Sequence, residues 1–197
     1  KFPARDDRFN LQRVEFATLD LARRCGLNVT QARLEAVGES DVLMLQRFDR
    51  EYTDKGYLRF GLVSGLTVLD CGDSHLDRER WSYPLMADNL RRWSEKPIAD
   101  CAELFRRMVF NAAVTNNDDH PRNHALLRRH NGWRLSPAYD LVPAPVVSLE
   151  RRDLALTVGD YGRTASIYNL LDKRVDYASY GTVLDGRRYN LGLTYQF

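Results

Sequence analysis

The chain has 197 residues, 44% of them hydrophobic and 28% charged, with a formal net charge of +2. That is enough apolar residue for one good core or two lobes, and too little net charge to argue for a nucleic-acid or anionic-membrane partner. Cys25, Cys71 and Cys101 are far apart and form no C-x-x-C, which argues against a disulfide framework or a zinc site and fits a reducing cytoplasm.

The first residues, "KFPARDDRF", read as a strand and not as a signal peptide. They lack an initiator Met, so an N-terminal part is expected to be missing. Residues 11–25 read as a helix. Leu11, Val14, Thr18, Leu21, Ala22 and Cys25 share a stripe, with Asn10 as N-cap and Gly26 at the stop. "ARLEAV" and "VLMLQRF" read as strands joined by the turn "GESD". Residues 52–80, rich in Gly and charge, are ambiguous. A helix is expected over 83–95 through Met86, Leu90 and Trp93. Asp100 and Glu103 have capping-box spacing ahead of a helix near 101–114, whose buried stripe is Leu104, Phe105, Met108 and Ala112. "HALLRRHNGWRLS" reads as a hairpin turning at Asn131-Gly132. Strands come early and helices dominate the middle, so the expected class is α+β. No apolar run approaches the ~20 residues of a membrane helix.

The polar run "NNDDHPRNHALL", residues 116–127, holds the chemistry. Asp118 and Asn123 stand in the pattern D-x-x-x-x-N, the spacing of the protein-kinase catalytic loop. There the Asp faces the attacking hydroxyl while the Asn holds Mg2+ on the phosphates. A hairpin and a second metal-binding Asp should follow, and Asp140 in "AYDLVPA" sits at that exit. The plainer alternative for Asp118 and Asp119 is a solvated loop that ends a helix. His120 and His124 are an i,i+4 pair, but the H-E-x-x-H glutamate is absent and Pro121 interrupts any shared helix. His120 is expected to orient the loop by hydrogen bonding, and His124 to start the hairpin strand.

"FNAAVTNNDDHPRNHALL" and "LSPAYDLVPA" resemble the HipA-like kinases, named for the toxin of a bacterial toxin–antitoxin pair. "KFP", "VEFATLDLARRCGL", "LQRFDR" and "ELFRRMVFN" add to the resemblance, which runs from Lys1 to about Leu170. It implies a two-lobed, protein-kinase-like fold, with a partial N-lobe over 1–50 and a mainly helical C-lobe over 51–170. It also implies Ser/Thr phosphorylation using ATP and Mg2+. Asp118 resembles the catalytic Asp, and Asn123 and Asp140 resemble the metal ligands. Lys1 matches the strand lysine that touches the ATP phosphates, and Glu15 the helix glutamate that pairs with it. Their plainer alternatives are a frayed terminal charge and an exposed helix residue. Arg47, Asp49 and Arg50 match a family hallmark, for which structural ion pairing is expected. Some members act on a tRNA synthetase, and the usual partner is a DNA-binding, HipB-like antitoxin. No direct nucleic-acid binding and no membrane span are expected of this chain.

Two stretches depart from the family. It carries glycine-rich, phosphate-covering strands before the "KFP" strand, and these are expected to be lacking. Its C-terminal helices give way at about 167–173 to "YNLLDKRVDYASYGTVLDGRRYNLGLTYQF". In this tail Tyr189, Leu191, Leu193, Tyr195 and Phe197 alternate with polar or small residues, the pattern of a strand with one apolar face. The tail resembles the end of TonB-dependent outer-membrane receptors, so residues 171–197 are expected to form a foreign, hairpin-like end. A barrel needs at least ~8 strands, so this tail cannot span a membrane alone. The functional expectation is a HipA-like kinase fragment, with a catalytically inactive binding fragment as the alternative.

Overall fold

Asn10 starts the first helix. Its side chain accepts the Arg13 amide, 3.0 Å away, and α1 runs over Leu11–Arg24. Gly26 follows at φ +82°, the left-handed geometry that glycine adopts without strain. The buried face of α1 is Gln12, Glu15, Thr18, Leu19 and Ala22. Leu21, expected on that face, is 47% exposed, and Leu19 is fully buried instead. The face is rotated because α1 packs on Leu27, Phe110, Ala138 and Leu141.

The computed structural model describes residues 1–4, 7, 9–129, 132–144 and 154–158, and the backbone of four short strands at 166–167, 175–177, 182–184 and 191–192. After α1 come β1 (Ala32–Val37) and β2 (Ser40–Leu45), antiparallel, with Ala32 opposite Leu45 and Val37 opposite Ser40. Lys1 lies along β2, exchanging backbone bonds with Leu43 at 2.6 and 3.0 Å. The ambiguous region resolves into β3 (Arg50–Thr53), β4 (Gly56–Arg59), β5 (Gly61–Ser64), the short helix α2 (Gly65–Leu69) and a 3-10 turn, His75–Arg80. β3 pairs with β4, while β5 joins a separate sheet.

Helix α3 (Tyr83–Trp93) begins where Ser82 Oγ accepts the Leu85 amide, with a proline in the first turn. Met86 and Leu90 are fully buried, as the spacing predicts, but Trp93 in the last turn is 49% exposed.

Helix α4 (Pro97–Val114) starts earlier than the sequence suggested, at Pro97 after Lys96. Asp100 and Glu103 are therefore not a capping box. Asp100 accepts from Arg134, Ser94 Oγ and the Leu135 amide; Glu103 accepts from the Asn28 amide, Arg106 and Arg107. Both tie other segments to α4. Leu104, Met108 and Ala112 enter the larger core with Met86, Leu90, Leu126, Leu135, Leu154 and Leu156. Phe110 enters the smaller core under α1. Phe105, expected on the buried stripe, is 47% exposed. α4 thus buries two faces and joins the two cores.

β6 (Ala125–Arg129) and β7 (Gly132–Leu135) complete a three-stranded antiparallel sheet in the order β5-β6-β7. This is the expected hairpin; His130 and Asn131 at its tip lie outside the described residues. Farther on, β8 (Ser166–Ile167) pairs with β11 (Leu191–Gly192), and β9 (Val175–Tyr177) with β10 (Thr182–Leu184). The side chains of the expected alternating strand, Tyr189 to Phe197, lie outside the described residues. Among the described residues no helix is long and apolar enough to cross a membrane.

Candidate active site

The polar run leaves α4 through Thr115, whose left-handed φ of 59° turns the chain sharply. The Asn116 amide then bonds the Asn111 carbonyl at 2.8 Å, and its side chain bonds Asn111 Oδ1 at 3.1 Å. Asp118 is exposed, and its carboxylate has no hydrogen bond or ion pair among the described residues. Its carbonyl accepts the His120 amide at 2.9 Å and Asn123 Nδ2 at 3.1 Å. That bond commits the Asn123 nitrogen and leaves Oδ1 available. A 3-10 turn, Pro121–Asn123, leads into β6.

Asp119, next to Asp118, is buried. Its Oδ2 accepts from the Tyr83 hydroxyl and from His124 Nε2, the latter at 3.2 Å. Burial pushes its carboxyl up. The adjacent His124 and hydrogen bonds from His124, Tyr83 and Asn111 outweigh that and hold it below the usual carboxylate range. Burial, with Asp119 alongside, pushes the Tyr83 phenol far up, so it stays a donor. His124 immediately precedes β6, as expected. His120 orients the loop differently from expectation. Its backbone amide bonds the Asp118 carbonyl, its ring packs edge-on against Trp81 at 6.5 Å, and its buried Nδ1 has no hydrogen-bond partner among the described residues.

The second group assembles around Lys1. Its Nζ lies 2.8 Å from both carboxylate oxygens of Glu15 and also bonds Asp140 Oδ1. Glu15 is 5% exposed, and burial pushes its carboxyl up against the opposing pull of Lys1. For Lys1, burial lowers the ammonium, but Asp140 and Glu15 more than reverse this and raise it. Asp140 has a φ of 58°. Its segment is held by Arg107, fully buried on α4, which bonds the Ser136 carbonyl at 2.5 Å and Glu103 at 3.2 Å. Burial, the largest influence on Arg107, lowers its guanidinium despite Glu103 beside it.

Of the residues singled out in sequence, Lys1, Glu15 and Asp140 are in direct contact, and Asp118 and Asn123 share a hydrogen bond. Tyr139 joins the two groups, its hydroxyl bonding the Arg122 carbonyl at 2.7 Å. Burial pushes this phenol up to about 12. Arg47 bonds Asp49 at 2.6 and 2.7 Å, with Arg50 3.7 Å from the same carboxylate, matching the expected ion pairing. Among the described residues no group of three or more His, Cys, Asp or Glu could hold a metal. Asn123 Oδ1 and the Asp140 carboxylate are hard oxygen donors of the kind Mg2+ takes alongside phosphate, so the donor set fits that ion.

Residues 1–187 match the family model of the HipA-like C-terminal domain. The chain belongs to this family. The HipA-family match reaches past the position where the sequence suggested a junction. The serine/threonine-protein kinase toxin HipA of Shewanella oneidensis is 24% identical over 168 residues, covering 78% of this chain and 39% of that protein. The solved complex of Shewanella oneidensis HipA, HipB and operator DNA contains a similar chain. It superposes with a TM-score of 0.68 at 23% identity, over 80% of this chain and 40% of that one. The proinflammatory kinase CtkA of Helicobacter pylori gives 0.62 at 16% identity, over 88% and 67%. The fold is therefore a kinase-like α+β fold, shared with these two structures. A separate, short similarity is to an iron-regulated outer membrane virulence protein of Vibrio cholerae. It is 61% identical over 33 residues, 17% of this chain and 5% of that protein.

Sequence reasoning missed Asp119, Tyr83 and Arg107. The His124 spacing five residues from Asp119 was a usable signal for the first. Glu103, four residues before Arg107 on α4, was a local signal for its ion pair but not for its burial or its bond to the Ser136 carbonyl 29 residues away; nothing local marks Tyr83, whose partner Asp119 lies 36 residues away.

Proposed function

We propose that this chain is part of a HipA-like serine/threonine kinase that transfers the ATP γ-phosphate to a protein hydroxyl with Mg2+. The observation supporting this most strongly is the contact of Lys1 Nζ with both Glu15 and Asp140, drawn from three distant segments. A lysine fixed by a helix glutamate and set beside an aspartate supplies a cation for phosphates next to an oxygen ligand for a metal. On this reading 1–50 is a partial N-lobe and 51–170 the C-lobe.

ATP supplies the phosphoryl group, and Mg2+ neutralises the charge on it. Asp140 and Asn123 Oδ1 would hold the metal. Lys1, held by Glu15, would supply the cation for the phosphates. Asp118, solvent-facing and without a partner among the described residues, orients the acceptor hydroxyl and takes its proton. The substrate is a protein, with a tRNA synthetase as the first candidate, and the setting is the cytoplasm. A HipB-like antitoxin is the proposed partner, supported by the HipA–HipB–DNA neighbour.

The test is ATP turnover and phosphate transfer to serine or threonine, in the wild-type chain and in Asp118→Ala. Asp118→Ala should abolish transfer and largely spare ATP affinity. A wild-type chain that binds ATP but transfers nothing would favour the alternative, a HipA-like fragment that binds without catalysis.

A further inference from the structure

We propose that Asp119 and His124, tied to Tyr83, are the positioning residues of the loop that carries Asp118 and Asn123. What the loop does rests on the phosphotransfer reading above.

The loop is closed by two clips of equal span. The outer one joins Asn123 Nδ2 to the Asp118 carbonyl at 3.1 Å. The inner one joins His124 Nε2 to Asp119 Oδ2 at 3.2 Å. Each inner residue follows an outer one in sequence, so fixing the inner pair sets the spacing and direction of the outer pair. The inner clip is anchored outside the loop. Tyr83, the first residue of α3, donates to Asp119. Asn111 of α4 steadies that donor, its Nδ2 donating to the Tyr83 hydroxyl at 3.5 Å. His124 is held a second time through its backbone, whose carbonyl accepts the Gly65 amide at 2.7 Å.

A pair kept only for stability would be built otherwise. Asp119 and His124 are each 1% exposed, and His124 Nδ1 is buried with no hydrogen-bond partner among the described residues. An unmet buried polar atom is a cost that an apolar residue of similar shape avoids. What an apolar pair cannot supply is a directional link across the loop. Such links hold metal ligands in place elsewhere, and losing one weakens metal affinity by ~10-fold to ~100-fold.

The experiment measures two quantities in the whole chain. One is Mg2+-dependent binding of a non-hydrolysable ATP analogue. The other is solvent exchange of the Asn123 side-chain amide by NMR. In Asp119→Asn and His124→Phe the expected result is ~10-fold weaker Mg2+-dependent binding and faster Asn123 exchange. His124→Gln keeps an N–H donor and should restore most of both. Variants that melt earlier while Asn123 exchange is unchanged would show a merely structural pair and overturn the proposal. If the wild-type chain binds no analogue, the phosphotransfer reading fails. Asn123 exchange still decides the clip, since faster exchange in Asp119→Asn supports it and unchanged exchange overturns it. Should Asp119→Asn not fold, Tyr83→Phe removes one donor, keeps the ring, and is judged by the same two outcomes.

Discussion

Asp118 and Asp119 share a peptide bond and face opposite ways: Asp118 lies in solvent, and Asp119 is 1% exposed beneath Tyr83 and His124. Their replacements should differ accordingly. Asp119→Ala takes the acceptor away from His124 Nε2 and the Tyr83 hydroxyl inside the protein and should cost about 3–5 kcal/mol of stability. Asp118→Ala should stay within ~0.5 kcal/mol of wild type. Urea unfolding of both variants checks this, and equal stability losses would contradict the burial assignment.

The Asp100–Arg134 contact predicts a pH dependence. Burial pushes the Asp100 carboxyl up, but Arg134, Ser94 and the Leu135 amide hold it below its usual value. A folded-state value below the unfolded one adds stability above the unfolded value, and that stability is lost as pH falls through the folded one. Asp100→Asn should therefore cost about 2 kcal/mol near neutrality. The gap to wild type should close as pH drops below ~4. A gap that stays constant down into strong acid would show that the charge of Asp100 contributes nothing.

Gly65 predicts a steric effect. It donates its amide to the His124 carbonyl at 2.7 Å, and an added Cβ would overlap the Pro121 carbonyl oxygen and come 2.7 Å from Met86 Cε. Gly65→Ala should cost ~1–3 kcal/mol by pushing α2 off the loop. Gly61→Ala is the control, because its Cβ would meet Arg128 Cβ at an ordinary 3.4 Å, and it should stay within ~0.5 kcal/mol of wild type. Thermal melts of the two separate them; similar losses would mean that close approach at Gly65 is not the cause.

Much of the fold is legible where local rules suffice. Asn10 and Gly26 bracket α1, and the β6–β7 hairpin follows the alternation around Asn131-Gly132. Strands β3, β4 and β5, of four residues each, are too short to show a period among glycines and charges. The start of α4 is masked in the sequence because Asp100 and Glu103 imitate a cap while serving tertiary contacts, although Pro97 marks the first turn. In the candidate site, the spacing of Asp118 to Asn123 and the place of Asp140 were readable. The inward turn of Asp119 was not, since its environment is made by Tyr83 and Asn111 from two other helices.

Asp140 and Asn123 are proposed to hold Mg2+ beside nucleotide phosphates, with Lys1 and Glu15 alongside. Calorimetric titration of the chain with a non-hydrolysable ATP analogue, with and without Mg2+, tests it most directly when repeated in Asp140→Ala. Because Asp140 also engages Lys1, the variant should bind the Mg2+-free analogue at least as well as wild type. The predicted result is Mg2+-enhanced binding in the wild-type chain that disappears in Asp140→Ala; an equal Mg2+ enhancement in both would contradict the assignment.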